Sequence, residues 1–185
     1  MGILAWGMNL DMFGGSLNGT GILLKAVIVP GDKTKEGQLV EAVALPWFEI
    51  VRLLKEDPDF AHKIHWRKWE EIIAGAYERA GFDEVILTPA SGDKGRDVIA
   101  TKNGVGSIRF FDQVKAYSAN HLVSADEVRS MVGVISAAGN VSKGILTTTS
   151  HFAPGVEKDE DLKRLIPHRL ELKPKDKLIE WLASL

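Results

Sequence analysis

The sequence contains no cysteine among its 185 residues. Disulfide bonds, thiolate zinc sites and cysteine nucleophiles are therefore excluded, and a reducing compartment is compatible with the composition. No apolar run has the length and continuity of a membrane span, because residues 21–30 and 39–54 are short or interrupted by charges and prolines. No basic residue precedes Lys25, so a secretory signal is not predicted. These absences predict a cytoplasmic protein without a membrane segment.

An excess of positive charge is also absent, since the formal net charge is −2. Net charge alone therefore does not indicate a nucleic-acid-binding protein. The hydrophobic fraction of 45% and the charged fraction of 26% are typical of a globular protein with a buried core. The glycine-rich residues 14–21 are not followed by the Gly-Lys-Ser/Thr of a phosphate-binding loop, so we interpret them as a flexible loop.

The first sixty residues contain two apolar segments. Residues 22–29 have the composition of a strand, which Pro30 and Gly31 would close. Residues 39–55 have the spacing of an amphipathic helix that starts or is interrupted near Pro46. We interpret residues 1–60 as an N-terminal extension of unknown role, followed by the main domain over residues 61–185.

The main domain has the periodicity of helices and strands in turn. Residues 66–80 have apolar side chains at helical spacing, and Gly81 supplies the C-terminal stop. Ser124 opens a further helix with a capping box. The predicted strands are 84–88, 97–101, 108–116, 143–149 and 169–172, and the later helices are 125–138 and 174–185. This order predicts an α/β fold with a mixed β-sheet flanked by helices.

Three segments of this domain present polar side chains in directions that periodicity defines. On a helical wheel, Glu70 lies at the edge of the apolar stripe, whereas Glu71 and Glu78 lie on the solvent face. Strand alternation places Gln113 and Lys115 on one face of their strand. If the two central strands pair as a hairpin, Asp97 converges with Gln113 and Lys115 near the open end of that hairpin.

The meeting of Asp97 and Gln113 depends on the turn between the two strands. A two-residue turn at Asn103-Gly104 would place Asp97 opposite Phe110. A wider loop at residues 104–106, or a bulge, would place Asp97 opposite Gln113, and Gly106 is compatible with that loop. The sequence leaves both registers open.

Phosphodiester hydrolysis is the chemistry that such a set of side chains suits. Mg²⁺ prefers oxygen ligands and keeps several waters, so one or two carboxylates and a neutral carbonyl oxygen are sufficient. The metal polarises the phosphate and lowers the pKa of an attacking water. A lysine such as Lys115 can orient that water or stabilise the additional negative charge of the transition state.

The sequence resembles the Mrr-like restriction endonucleases, a family within the PD-(D/E)xK nuclease superfamily. The resemblance covers residues 66–156 and extends to the C-terminus through the closing strand and helix. Four motifs carry it in order: Trp69-Glu70 with Gly81-Phe82, the Ser-Gly-Asp-x-Gly-x-Asp segment at 91–97, Gln113-Val114-Lys115, and Thr-Thr-Ser-x-Phe at 148–152. The glutamine stands where most of the superfamily has an acidic residue.

The resemblance implies a restriction-endonuclease-like fold and a nuclease catalytic domain over residues 61–185. It further implies hydrolysis of double-stranded DNA with Mg²⁺ as cofactor, for which Mn²⁺ can substitute, by an enzyme of the restriction or defence type. Asp97 and Gln113 would be metal ligands, Lys115 would be catalytic, and Glu70 would be an accessory acidic residue at the same metal. Several nucleases of this kind act as homodimers, and a homodimer is expected here as well.

Two other functions remain open on the same fold. One is a DNA repair or junction-resolving nuclease, and the other is a catalytically inactive DNA-binding module. A module that functions by DNA affinity alone is expected to be more basic, so the near-neutral charge argues against it.

Other polar residues receive weaker interpretations. His62 and His65 lie three residues apart, but no third ligand completes a zinc site, so we interpret them as solvated. His151 is a candidate DNA contact because it follows a strand. Asp93 is interpreted as a turn residue, and the candidate phosphate contacts are Lys94, Arg96 and Lys143.

Overall fold

The computed structural model describes residues 28–42, 44–91 and 94–185, without the side chains of residues 44–46. Within this part of the chain, seven strands form one sheet in chain order. β1 to β5 run antiparallel, and β5, β6 and β7 run parallel to one another. The strands are β1 Ile28–Lys33, β2 Gln38–Ala42, β3 Glu84–Leu87, β4 Val98–Gly104, β5 Gly106–Lys115, β6 Lys143–Thr148 and β7 Leu170–Lys173. The predicted mixed sheet of an α/β fold is confirmed.

Helices cover both faces of this sheet. The helices of the described part are α1 Ala44–Glu56, α2 Trp66–Arg79, α3 Ala125–Ala137, α4 Pro154–Lys158, α5 Glu160–Leu165 and α6 Lys175–Ser184, with a 3-10 helix at Pro58–Lys63. One hydrophobic cluster joins α1, α2 and α6 to one face, and a second joins α3, α4 and α5 to the other. Among the described helices, none is long and apolar enough to cross a membrane.

Most of the elements predicted after residue 66 are confirmed. Most of their first and last residues lie within one or two positions of the predicted ones. Gly81 follows α2 with a φ of +82°, a conformation that favours glycine at a helix C-terminus. Ser124 and Glu127 form the predicted capping box of α3. β4 and β5 pair as the predicted hairpin, although both strands extend further toward the turn than the sequence indicated. The short helices α4 and α5 and the 3-10 helix were not predicted.

The predicted helix over residues 39–55 is wrong in its first part. Residues 38–42 form β2, and the helix begins only at Ala44. Val40 belongs to one hydrophobic cluster and Leu39 packs against the other. Because both faces of this strand are covered, consecutive apolar residues replace the alternation by which a half-exposed strand is recognised. Pro46 lies in the first turn of α1, where its missing N–H costs least.

The predicted strand over residues 22–29 is described only from Ile28 onward, and residues 14–21 and 22–27 lie outside the described part. β1 does not end at Pro30 and Gly31 but continues to Lys33. In the described sheet β1 is an edge strand, paired with β2 alone. An edge strand has one side without ladder hydrogen bonds, so it tolerates a proline that lacks an N–H.

The β4–β5 hairpin has the wider of the two registers that the sequence left open. Gly104 pairs with Gly106 and leaves Val105 alone at the fully exposed tip. Gly106 has a φ of +96°, which an L-residue with a side chain rarely adopts. Val98 consequently pairs with Asp112. Continuation of this register by one residue places Asp97 opposite Gln113.

A buried polar network lies on the α2 face of β5. Asp112 is fully buried, and its Oδ2 accepts hydrogen bonds from the Tyr77 hydroxyl at 2.7 Å and from Thr147 Oγ1 at 3.0 Å. Burial raises the pKa of Asp112 to about 6, although Lys173 and the two hydroxyl donors partly oppose this shift. Burial also lowers the pKa of Lys173.

Asp112→Asn is expected to change how stability depends on pH. Between the usual value of 3.8 and about 6, folded Asp112 binds a proton that the unfolded chain has lost, so wild-type stability falls as pH rises through this range. The asparagine variant keeps an acceptor oxygen for the two hydroxyl groups. Because asparagine does not ionise, the stability of the variant does not fall in this pH range for this reason. Its unfolding free energy relative to wild type should therefore rise by about 2–3 kcal/mol from pH 4 to pH 7, as measured by urea denaturation.

Asp161→Asn is the control for this measurement, because the Asp161 side chain is 91% exposed. Its pH profile should run parallel to that of the wild type. Parallel profiles for the Asp112 variant as well would show that Asp112 ionises in the folded protein as it does in the unfolded chain.

Candidate active site

Asp97 lies directly before β4, at the end of the sheet where β3 and β4 meet. Its backbone N–H donates to the Asp112 carbonyl oxygen at 2.9 Å, which continues the β4–β5 ladder beyond Val98. The side chain is almost completely buried, and its Oδ2 accepts a hydrogen bond from the Val114 backbone N–H at 2.7 Å. The carboxylate is therefore held in place by β5, between the two residues that the sequence analysis selected there.

Gln113 lies on the opposite strand from Asp97, and its side-chain amide lies beside Gly95. A Cβ atom on residue 95 would be 3.8 Å from Gln113 Nε2 and only 2.9 Å from Val134 Cγ2. Gly95 also has a φ of +77°. Both the backbone conformation and the space against α3 therefore require glycine immediately before Arg96 and Asp97.

Lys115 lies two residues after Gln113, on the same face of β5. Its Nζ is 3.8 Å from Glu127 Oε1 on α3. Glu127 Oε1 also accepts from the Tyr117 hydroxyl at 2.5 Å, and Oε2 accepts from the backbone N–H and the hydroxyl of Ser124, each at 2.9 Å. The ammonium group thus faces a carboxylate whose own position is fixed by three other donors.

The ionisation states around Glu127 follow from these contacts. Partial burial opposes the charge of Glu127, but the hydrogen bonds from Tyr117 and Ser124, together with the charge of Lys115, lower its pKa overall. Burial and the hydrogen bond to Glu127 raise the pKa of Tyr117 to about 12. At neutral pH the tyrosine therefore donates and the glutamate accepts, next to a lysine.

Sequence reasoning did not connect Glu127 with Lys115. The Ser124–Glu127 capping box was the one available signal, and it indicated only the start of a helix. The contact depends on how α3 packs on the sheet, which no local motif encodes.

Glu70 reaches the same end of the sheet from helix α2. It is almost completely buried, and Arg67 Nη1 donates both to Glu70 Oε2 and to the Thr88 carbonyl oxygen. The Thr88 N–H in turn donates to the Asp97 carbonyl oxygen at 3.0 Å. Glu70 and Asp97 are therefore connected through Arg67 and Thr88.

The helical wheel distinguished the two glutamates correctly. The side chain of Glu70 is 7% exposed, whereas that of Glu71 is 23% exposed and pairs with Lys68. Glu78 differs from the expectation of a solvated residue, because its Oε2 accepts from the Ala42 backbone N–H at 3.3 Å.

Of the two histidines interpreted as solvated, His65 is exposed as expected, whereas His62 is largely buried, so that interpretation is wrong for His62. His62 Nδ1 is 3.0 Å from the Tyr117 carbonyl oxygen, whereas His65 Nδ1 accepts from the Arg67 N–H at the start of α2. His151 is exposed and follows β6, and its backbone carbonyl accepts from the Val123 N–H at 2.9 Å. Its role as a DNA contact stays a prediction.

The three candidate phosphate contacts differ in position. Arg96 stacks on Phe111, with its guanidinium carbon 4.6 Å from the ring centroid. Lys143 begins β6 at the end away from Lys115 and pairs with Glu171 at 3.1 Å. Lys94 is exposed, and Asp93 lies outside the described residues.

The donor atoms at this end of the sheet are of the kind that Mg²⁺ binds. Asp97 and Glu70 offer carboxylate oxygens and Gln113 an amide oxygen, and Mg²⁺ takes its remaining ligands from water or phosphate. Within residues 28–42, 44–91 and 94–185, no three Asp, Glu or His side chains form a metal site by themselves. The chemistry of these three oxygen donors is compatible with a divalent cation that takes its remaining ligands from water or substrate.

A sequence comparison with known proteins identifies a relative of this chain. An uncharacterized protein of Sinorhizobium fredii (strain NBRC 101917 / NGR234), y4cE, is 27% identical over 133 residues, which make up 71% of this chain and 33% of that protein. The match thus spans only about a third of the relative's length.

Two solved structures are also similar. The DNA modification-dependent restriction endonuclease AspBHI has a TM-score of 0.43 and 22% identity, covering 86% of this chain and 39% of its own. The restriction endonuclease MspJI, solved in complex with a 27-mer oligonucleotide, has a TM-score of 0.45 and 12% identity, covering 82% of this chain and 33% of its own.

The family assignment comes from a separate comparison. The family model Mrr_cat, described as a restriction endonuclease, matches residues 61–182, well over half of the chain. These residues include α2, the β4–β5 hairpin and α3, which carry the side chains described above. The chain belongs to this restriction endonuclease family.

Proposed function

We propose that residues 61–185 are the catalytic domain of a metal-dependent endonuclease of the restriction type, which hydrolyses phosphodiester bonds in double-stranded DNA. One observation carries this proposal above the others. The wide register of the β4–β5 hairpin sets Asp97 opposite Gln113, with Lys115 on the same face, in a chain of a restriction endonuclease family.

In this proposal Asp97 and Gln113 would hold the divalent ion, and Glu70 would be the accessory acidic residue at the same position. Mg²⁺, for which Mn²⁺ can substitute, would supply polarisation of the phosphate and a lowered pKa of an attacking water. The Val114 N–H keeps the Asp97 carboxylate in place. Lys115 stabilises the negative charge that develops on the phosphate, and Glu127 orients Lys115 through their 3.8 Å contact.

The proposal extends to a cytoplasmic homodimer. A single site hydrolyses one strand at a time, so a double-strand break needs two sites. The composition without cysteine is compatible with the reducing cytoplasm.

Plasmid cleavage with and without divalent metal tests this function. Supercoiled DNA should be cut with Mg²⁺ or Mn²⁺ and stay intact with EDTA, because the two carboxylates and the amide lack a Lewis acid without the ion. Cooperative action of two sites should give linear DNA, whereas independent action should accumulate nicked circles first. Matched methylated and unmethylated plasmids show whether base modification is required.

Other results would replace the proposal. DNA binding without nicking under any metal condition would indicate an inactive DNA-binding module of this fold. A strong preference for branched over linear duplex DNA would indicate a repair or junction-resolving nuclease. Cleavage that persists unchanged in EDTA would contradict the metal-dependent mechanism.

A further inference from the structure

A cationic groove lies between the β1–β2 turn and the N-terminal part of α2. Its volume is about 350 Å³, and its lining includes Lys33, Lys35, Arg67, Thr88 and Pro89. Lys33 and Lys35 are exposed, and among the described residues neither has an acidic side chain within ion-pair distance. Within the described part of the chain, the groove therefore presents two positive charges without an ion-pair partner beside Arg67.

The turn that carries these lysines has a defined conformation. The Thr34 hydroxyl accepts hydrogen bonds from the N–H groups of Glu36 at 3.2 Å and Gly37 at 3.1 Å, and the Thr34 N–H donates to the Gly37 carbonyl at 2.7 Å. Gly37 packs so closely on β3 that a Cβ atom there would be 2.3 Å from the Leu87 carbonyl oxygen. The lysines are thus held next to the end of β3.

The acidic residue of the turn is neutralised outside the groove. Glu36 pairs with Arg109, and its second oxygen is 3.7 Å from Arg96. Both arginines lie over the ring of Phe111, on β5. This arrangement attaches the turn to the central strands and pairs its one negative charge with two arginines and not with Lys35.

A second groove, beside the β1–β2 hairpin, has the opposite charge. Its volume is about 410 Å³, and the acidic residues in its lining are Asp32, Glu41, Glu78, Asp83 and Glu84. A polyanion would be repelled from this groove and attracted to the cationic one. The β1–β2 hairpin therefore has a basic side, which suits binding of a phosphate, and an acidic side, which does not.

Hydrogen bonds connect the lining of the cationic groove with the candidate active site. Arg67 lines the groove and also donates to Glu70 and to the Thr88 carbonyl oxygen. Thr88 also lines the groove, and its N–H donates to the Asp97 carbonyl oxygen. Two residues of the groove are therefore hydrogen-bonded directly to residues of the candidate site.

We propose that the β1–β2 hairpin is a binding site for a phosphate of the DNA backbone, which Lys33 and Lys35 contact next to the scissile position. This inference rests on the proposed nuclease function and gives residues 28–42 a role in substrate binding. The family match begins only at residue 61, so the hairpin is an addition to the domain that the family defines. Lysines contact phosphates as point charges without reading the base sequence, so the effect should be independent of sequence.

Duplex DNA binding as a function of salt tests the hairpin directly. The full chain is titrated against a labelled duplex in Ca²⁺, which permits binding without turnover, and the anisotropy is measured at several KCl concentrations. Lys33→Ala/Lys35→Ala should bind about tenfold more weakly at low salt, and its log Kd against log salt slope should decrease by about 2. Lys33→Arg/Lys35→Arg should bind like wild type, which separates loss of charge from loss of fold.

Lys102→Ala/Lys163→Ala is the matched control. It removes the same charge from half-exposed lysines outside the groove and should keep the wild-type slope. An unchanged slope and affinity for the Lys33/Lys35 alanine variant would overturn the hairpin site while leaving the nuclease proposal intact. Equal losses in the alanine variant and in the control would also overturn it, because net charge alone would then explain the effect. Absence of both DNA binding and cleavage in the wild type would overturn the two proposals together.

Discussion

Replacing Asp97 with asparagine is expected to lower the rate of DNA cleavage by about a thousandfold, equivalent to about 4 kcal/mol of transition-state stabilisation. The asparagine oxygen can still accept the hydrogen bond that Asp97 Oδ2 receives from the Val114 N–H. The variant therefore removes the charge that a divalent ion needs while keeping an acceptor for the Val114 N–H. Initial rates on plasmid DNA at saturating Mg²⁺ provide the measurement, and thermal unfolding should show a midpoint near that of the wild type.

Asp161→Asn is the matched control for Asp97, since Asp161 is exposed and pairs only with Arg164 in the described structure. It should cleave at the wild-type rate. A folded Asp97→Asn variant that cleaves as fast as wild type would remove Asp97 from the site. Restoration of activity by Mn²⁺ but not by Mg²⁺ would instead support Asp97 as a metal ligand, because it would show that the substitution altered metal preference.

Lys115→Ala is expected to reduce kcat by about a hundredfold to a thousandfold while changing DNA affinity little. The ammonium group acts on the charge that develops in the transition state, so its loss should appear in kcat more than in KM. Single-turnover cleavage gives the rate of the chemical step, and binding in Ca²⁺ gives the affinity. Lys163→Ala, a lysine in a half-exposed ion pair on α5, is the control and should leave both quantities unchanged.

Glu127→Gln refines this experiment, because it removes the charge opposite Lys115 but keeps one acceptor oxygen for Ser124, while its amide N–H can donate to the Tyr117 hydroxyl. A smaller loss of kcat than in Lys115→Ala, with unchanged affinity, is expected of a positioning residue. A loss of affinity without any loss of kcat in Lys115→Ala would make Lys115 a DNA-binding residue and contradict its catalytic role.

Local sequence signals were sufficient for the elements that carry the site. The helical spacing of residues 66–80 identified α2 and distinguished Glu70 from Glu71, because amphipathicity is a property of neighbouring residues. Strand alternation placed Gln113 and Lys115 on one face in the same way. The register of the β4–β5 turn did not follow from local signals. Asn103-Gly104 is typical of a two-residue turn, but the structure has the wider loop that ends at Gly106.

Features that depend on tertiary contacts had no such signal. β2 lacks an alternating pattern because consecutive apolar residues of this strand pack into hydrophobic clusters on opposite faces of the sheet. The ion pair of Glu36 with Arg109 joins residues that are 73 positions apart, and the contact between Glu127 and Lys115 joins two separate elements. Charged side chains have many geometrically acceptable partners, so composition does not determine which pair forms.

The single unpaired residue at the tip of the β4–β5 hairpin limits which length changes this protein can tolerate. Exposed hairpin tips usually accept insertions and deletions, because their backbone makes few contacts. An inserted residue at Val105 can bulge into solvent and leave the ladder intact. Deletion of Val105 removes the one residue that the turn has outside the ladder. One strand must then shift by one position, which turns its side chains to the opposite face of the sheet. The length of this distant tip is therefore under the same constraint as the candidate site residues Asp97 and Gln113, whose alignment depends on it.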